Sequence, residues 1–262
     1  MLTAHGVTHT GYVRKANEDT LLVDHDLGLF LVADGMGGHS CGEVASRLAA
    51  ETIRAFVART RDGDKCTWPF GIDPDSSLAV NRLRTAVQLA NRRVFRASES
   101  RDEYAGMGST VVVALIEDDR LAFAGVGDSR VYAHTDAGLT QLTNDDSWVA
   151  TILARDPEVD EAALATHPMR HVLTNAIGAR EETEVEVGER TLAGREVLLL
   201  CSDGLHGALD DETLAGVLGN LGNIGSGGGE DEVAVAAEQL LRAALETGGK
   251  DNITALVVRR AT

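Results

Sequence analysis

Three apolar runs of the chain stop at an aspartate, and a fourth begins just after one. Leu29–Ala33 ends in Asp34-Gly35, Leu121–Val126 in Gly127-Asp128, and Val197–Ser202 in Asp203-Gly204, while Asp251 precedes Ile253–Val258. Apolar runs without polar alternation predict strands buried on both faces. Their aspartates then lie at the rim of a core, where an uncompensated carboxylate is costly. A single Asp-Gly after a strand is an ordinary turn; recurrence of the junction carries the signal. Carboxylates gathered at one end of a sheet repel one another, so either their pKa values climb or a divalent cation holds them. All-oxygen donors suit a hard ion, Mg²⁺ or Mn²⁺. Two such ions about 3.5–4 Å apart can share a carboxylate and a bridging water, lowering that water's pKa toward neutrality. Such a nucleophile needs no Ser, Cys or His, and phosphate esters are its natural substrates. Arg14, near Glu18 and Asp19, has the planar fork that suits a pair of phosphate oxygens. Taken singly, Arg14 reads rather as a surface or salt-bridging residue, and Glu18 and Asp19 read equally as solvated turn residues.

The elements that must position these groups follow from periodicity. Strands are predicted at Thr8–Val13, Thr20–Val23 and Leu27–Ala33, the last two forming a hairpin. Val44, Leu48, Thr52 and Phe56, with Ala45, Ala49, Ile53 and Val57, mark one face of a helix. Leu83, Val87, Ala90 and Val94 mark a second, after a loop over Arg61–Ser76. Ser109–Ile116 and Arg120–Val126 pair around Glu117-Asp118-Asp119, and Arg130–Ala133 follows. Leu142–Gly178 breaks the rhythm: it is polar, holds Pro157 and Pro168, and has helical fragments at Trp148–Leu153 and Glu161–Ala165. Insertions of this kind often cover a site. Val197–Cys201 returns to strand, Asp211–Leu218 is a short helix, and Gly219–Gly229 a glycine-rich loop. Val233, Ala237, Leu240, Leu241 and Ala244 give a last helix before the closing strand Ile253–Val258. The absence of regular β-α-β alternation favours an α+β fold, and no linker divides residues 1–262.

Composition bounds the function. The net charge of −17 argues against binding nucleic acid or anionic lipid. No run is long enough to span a membrane, and the first residues lack a signal-peptide pattern. Cys41, Cys66 and Cys201 are odd in number and widely spaced, which fits a reducing, cytoplasmic setting.

Arg14-Lys-Ala-Asn-Glu18-Asp19, Leu31-Val-Ala-Asp34-Gly35-Met-Gly-Gly-His39, Gly106-Met-Gly-Ser-Thr110 and Gly127-Asp128-Ser-Arg130 occur in that order. Leu173-Thr-Asn-Ala-Ile-Gly178, Leu200-Cys-Ser-Asp203-Gly204 and Gly249-Lys-Asp251-Asn252-Ile-Thr254 complete the series. Together they resemble the metal-dependent protein phosphatases, the 2C-like (PPM) serine/threonine phosphatases, in their compact bacterial form. The resemblance covers essentially the whole chain. It implies a four-layer α/β/β/α sandwich of two antiparallel sheets flanked by helices, built as one catalytic domain with a flap at about 142–178. It implies that Asp34 bridges two Mn²⁺ or Mg²⁺ ions, that the Gly35 carbonyl ligates one, and that Asp203 and Asp251 ligate the other. Glu18 and Asp19 would hold metal-bound waters, Asp128 with Asp203 a third, weaker ion, and Arg14 the substrate phosphate. The implied reaction is hydrolysis of phosphoserine and phosphothreonine in proteins by the metal-bridging hydroxide. Its partners would be phosphorylated proteins, a Ser/Thr kinase and that kinase's substrates.

The chain departs from the family pattern at three places. Asp145-Asp146-Ser147 stands where many relatives have Asp-His-Ser, and Asn175 where Arg is frequent. Met36 stands where eukaryotic relatives have a His proposed as general acid, and His39 reads as structural. Cys41 and Arg47 satisfy the Cys-x5-Arg spacing of cysteine-dependent phosphatases. Yet Arg47 falls inside a helix where a phosphate loop would be needed, so Cys41 reads as structural and Cys201 as core. His167 and His171 flank Pro168 with no glutamate after His167, which argues against zinc. Two other functions compete: a catalytically idle phosphoprotein-binding regulator, and a two-metal nuclease or phosphodiesterase, which the net charge disfavours.

Overall fold

The computed structural model describes residues 2–37, 41–61, 67–156, 159–160, 163–164, 167–192, 194, 196–223 and 230–260. Strands β1 (Leu2–His9), β2 (Asp19–Asp24) and β3 (Leu29–Met36) precede helices α1 (Gly42–Thr60) and α2 (Leu78–Ser100). Then come β4 (Gly108–Ser109), β5 (Val111–Glu117), β6 (Arg120–Val126), β7 (Arg130–Thr135), β8 (Gly138–Gln141), helix α3 (Trp148–Arg155), β9 (Glu186–Thr191) and β10 (Val197–Cys201). A single turn α4 (Asp203–His206), helices α5 (Asp211–Asn223) and α6 (Glu230–Glu246), and β11 (Ile253–Arg260) follow.

Two sheets form, in the orders β1-β11-β10-β7-β8 and β2-β3-β5-β6-β9, with β4 paired to β3. Every pairing is antiparallel. The unbroken apolar runs are explained by burial on both faces. Along β3, Leu29, Leu31 and Ala33 pack under α1 and α2, while Phe30 and Val32 face the other sheet. In β10, Val197, Leu199 and Cys201 pack under α5 and α6, and Leu198 and Leu200 point between the sheets. Successive side chains alternate in direction, so a strand between two apolar layers has no polar position to spare. The result is the expected four-layer sandwich.

Several boundaries differ from expectation. The first strand is Leu2–His9, not Thr8–Val13. It runs beside β11 over eight residue pairs, from Leu2↔Arg260 to His9↔Ile253, and Gly11–Val13 are a turn. The predicted loop at Gly219–Gly229 is helical as far as Asn223; the remainder lies outside the described residues, as does most of the Glu161–Ala165 fragment. Strand β9 was not anticipated. It is an edge strand, Glu-Val-Gly-Glu-Arg-Thr, too polar to register as apolar alternation, held along β6 and by Arg120 bonded to Glu189 (Nε–Oε1 3.0 Å). Among the described residues no helix is long and apolar enough to cross a membrane.

Candidate metal centre

The sandwich delivers the expected carboxylates to one end. β3 and β6 end there, β10 ends there antiparallel to the start of β11, and β2 begins there. Asp34 lies within β3 and is paired with Asp19 of β2. Gly127 turns with φ +97°, and a side chain on it would strike Thr110. Asp203 opens α4 directly after β10. Arg14, Glu18, Asp34, Gly35, Asp128, Asp203, Asp251 and Asn252 line one cleft of about 570 Å³. Its opposite wall comes from the second half of the 142–178 insertion, including His171, Thr174, Asn175 and Ala176.

Each member is held by a specific contact. Arg14 Nη2 donates to Asp251 Oδ2 at 2.7 Å. Asp251 Oδ1 accepts from the Asn252 amide (2.8 Å). Glu18 Oε1 accepts from Gly42 N (3.1 Å), capping α1 from a distant loop. Asp19 Oδ2 accepts from Ser202 Oγ (2.8 Å) and Thr254 Oγ1 (2.6 Å), tying the two sheets together beneath the cleft. Gly35 is required by packing: a Cβ there would lie 2.1 Å from the Gly42 carbonyl oxygen and 2.7 Å from that of Glu18.

The electrostatics are those of crowded anions. Burial, then the fields of Asp19, Asp203, Asp128 and Asp251, raise the Asp34 pKa well above the carboxylate range. Burial lifts Asp19 to about 6 against the pull of its two hydroxyl donors, and lifts Asp128 to about 7 with help from Asp203 and Asp145. Asp203 is raised by burial and by Asp251, and its carboxyl lies within hydrogen-bonding reach of that of Asp34. Among the described residues no three His, Cys, Asp or Glu side chains close into a metal cage, so the fit of a cation rests on the donors themselves. Asp19 Oδ1 and Asp203 Oδ1 are buried with no hydrogen-bond partner. Buried carboxylate oxygens without donors, beside further carboxylates, are the chemistry that a hard cation satisfies. The donor set fits.

The chain matches the family model "Protein phosphatase 2C" over residues 12–240. It belongs to the protein phosphatase 2C family. The serine/threonine protein phosphatase PstP of Mycobacterium tuberculosis is 34% identical over 247 residues, covering 94% of this chain and 43% of that protein. This 2C-family chain thus spans less than half the length of that relative. The serine/threonine phosphatase stp of Listeria monocytogenes is 31% identical over 260 residues, covering 97% of this chain and 94% of its own. The crystal structure of the M. tuberculosis phosphatase PstP/Ppp superposes with a TM-score of 0.82 at 32% identity, covering 100% and 99% of the two chains. The catalytic domain of PstP in complex with two manganese ions superposes with a TM-score of 0.78 at 32% identity, covering 98% and 97%.

Several supporting residues of this 2C-family site were not singled out from the sequence. Asn252 accepts from Glu18 N (2.8 Å) and donates to the carbonyls of Thr10 and Ala16 (both 2.9 Å), clamping the Arg14–Glu18 turn to β11. Its place next to Asp251 was the available signal. Asn252→Ala is expected to leave one amide and two carbonyls short of partners and to cost about 2–4 kcal/mol of stability, measurable by urea unfolding. Thr110 Oγ1 accepts from Asp34 N (3.0 Å) and is bonded to Ser129 Oγ (2.7 Å). His206 donates from Nε2 to the Asp128 carbonyl (2.9 Å), and burial lowers its pKa to about 4, keeping it neutral. Nothing in the sequence around His206 marks it.

Of the other candidates, Met36 lines the cleft and His39 lies outside the described residues. The Cys41 thiol donates to the Glu103 carbonyl and Arg47 lies in α1, so no phosphate loop exists there. Cys201 is buried in β10, and burial pushes its thiol up to about 12. His167 stacks on Trp148 (centroids 4.4 Å apart), whereas His171 faces the cleft.

Proposed function

We propose that this chain is a metal-dependent phosphatase that removes phosphate from phosphoserine and phosphothreonine in proteins. The observation that carries this reading is the meeting of Asp34, Asp128, Asp203 and Asp251 with Arg14 along one open cleft. Residues 1–262 act as one catalytic domain, with 142–178 as a flap beside the cleft.

Asp34, Asp203, Asp251 and the Gly35 carbonyl would hold two Mn²⁺ or Mg²⁺ ions, with Asp128 and Asp203 serving a third, and Glu18 and Asp19 supporting them from behind. Such ions supply an acidified water as nucleophile and neutralise charge on the phosphoryl oxygens. The protein's own residues do the rest. Arg14 receives the phosphate: one of its N–H donors goes to Asp251, and its guanidinium faces the cleft. That ion pair aims the fork before substrate arrives, which limits the entropy lost on binding. Thr110 and Ser109 fix the backbone of Asp34 from both sides, through Asp34 N and Asp34 O. The cleft is wide and polar, which suits a phosphorylated segment better than a small apolar ligand. The net charge of −17 repels nucleic acid and disfavours a diester substrate of that kind. Phosphorylated targets of a cytoplasmic Ser/Thr kinase are the substrates this reading calls for.

The test is hydrolysis of p-nitrophenyl phosphate and of a phosphothreonine peptide. Both activities should vanish in EDTA and return with Mn²⁺, while bis(p-nitrophenyl) phosphate stays intact. Full turnover in EDTA, or preference for the diester, would overturn the reading.

A further inference from the structure

The wall of the cleft opposite the carboxylates enters the sandwich core only at its end, where Ala176 and Ile177 are buried. It is the returning leg of the 142–178 insertion, so something must hold that leg in place. Three anchors do so. Ile177 exchanges two backbone hydrogen bonds with Ser109 (3.0 and 2.8 Å). Asn91, from α2, accepts from Gly178 N (2.8 Å) and donates to the carbonyls of Arg180 and Glu181 (3.1 and 3.0 Å). The third anchor is Asp146, on the outgoing leg, and it acts on both sides at once.

Asp146 is fastened to the turn before Asp128 through two bonds. Its amide donates to the Gly127 carbonyl (2.8 Å), and its Oδ2 accepts from Gly127 N (3.1 Å). It is fastened to the returning leg through two more: its carbonyl accepts from Thr174 N (2.8 Å), and the same Oδ2 accepts from Asn175 Nδ2 (2.9 Å). Asn175 is itself locked, since Nδ2 also donates to the Glu184 carbonyl (2.9 Å) and Oδ1 accepts from Thr183 Oγ1 (2.7 Å). These donors and acceptors fix the orientation of the amide. One carboxylate oxygen therefore joins the Asp128 turn to the wall that contains Thr174 and Asn175, and charge-assisted bonds of this kind are about twice as strong as neutral ones.

We infer that Asp146 and Asn175 form a positioning pair that latches the cleft wall to the Gly127–Asp128 turn, and so sets how tightly a phosphorylated polypeptide is held. This inference rests on the phosphatase reading above. Neither residue is assigned a place on the phosphorus; both act through the leg that they hold. The pairing is a matched one. An alanine at 146 leaves Gly127 N without its acceptor and Asn175 Nδ2 with one acceptor instead of two, and an alanine at 175 leaves Oδ2 with one donor instead of two. Asn at 146 keeps an oxygen for Gly127 N and restores much of the geometry without the charge.

The experiment compares Asp146→Ala, Asn175→Ala, the double variant and Asp146→Asn in the full chain. The expected result is a KM for a phosphothreonine peptide raised about tenfold in either alanine variant, no further rise in the double variant, and kcat within about twofold. Asp146→Asn should recover most of the loss. Hydrogen–deuterium exchange of the metal-free proteins supplies a readout independent of turnover: segments 143–149 and 172–177 should exchange faster together in both alanine variants, with β3 and β10 unchanged. Independent, additive effects of the two substitutions, or unaltered exchange in both segments, would overturn the latch. A wild-type protein inactive on every phosphopeptide would instead overturn the phosphatase reading, and the exchange data would still decide the latch.

Discussion

Asp34→Asn should lose at least about a thousandfold in turnover of a phosphopeptide with Mn²⁺, and yet melt at a higher temperature than the wild type in EDTA. Both effects have one cause. Without a cation, Asp34 is a buried carboxyl facing Asp19, Asp203, Asp128 and Asp251, which together raise its pKa well above the usual range. Removing its charge relieves that repulsion, and the Asn amide can donate to Asp203, whose carboxyl lies within reach. The same change removes a charged oxygen donor that the cations need. Thermal melts with EDTA and with Mn²⁺, beside the activity assay, check the pair of outcomes. A variant that is both active and unchanged in melting would refute the role given to Asp34.

The second large effect is the response of stability to pH, whose slope should weaken when metal is added. A carboxyl whose pKa is higher in the folded protein binds protons more tightly there than when unfolded. Its penalty is fully present above the folded value and is relieved as pH falls through it. Asp128 at about 7 and Asp19 at about 6 place the onset of that relief between pH 8 and pH 6, and it runs on toward the unfolded carboxylate value of about 4. The metal-free protein should therefore gain roughly 5 °C in Tm from pH 8 to pH 6. Below about pH 6 the gain should continue but be partly offset, because His206, lowered to about 4, is neutral in the fold and takes its proton more readily when unfolded. With Mn²⁺ at about a hundredfold over its Kd, stabilisation of about 2.7 kcal/mol is expected at pH 8. That gain should shrink toward pH 6 as protons compete for the same oxygens. Differential scanning fluorimetry at three pH values, with and without Mn²⁺, measures both slopes. Parallel slopes would count against carboxylates as the ligands.

The parts of this site legible in the sequence are those that rest on burial. Leu29–Ala33 and Val197–Cys201 announce themselves because a strand inside a four-layer sandwich is apolar on both sides, and the aspartates that end them mark the rim. The first strand was misplaced because Leu2–His9 borders its sheet, and its mixture of Thr, His and Gly gives no clear alternation. β9 escaped for the same reason. Asn252, Thr110 and Asp146 stand in motifs that the sequence displays, but the bonds they make there, many to backbone groups far away in sequence, do not show in it, and nothing marks His206. Asn252 reaches across 242 residues to Thr10 and Thr110 across 76 to Asp34. Local pattern carries no trace of such pairings; only the closed sheets bring the partners together.

The last strand also governs when the protein can come alive. β11 is an interior strand, placed between β1 and β10, and it joins β1 residue by residue across some 250 positions of chain. Contacts so distant in sequence form late. A nascent chain still short of Ile253 lacks the sole neighbour of β1 in its sheet, and Thr254, which anchors Asp19. Chains that end before Ile253 should consequently lack both the support of β1 and the anchor of Asp19, so the cleft is complete only once the far end of the chain has joined its sheet.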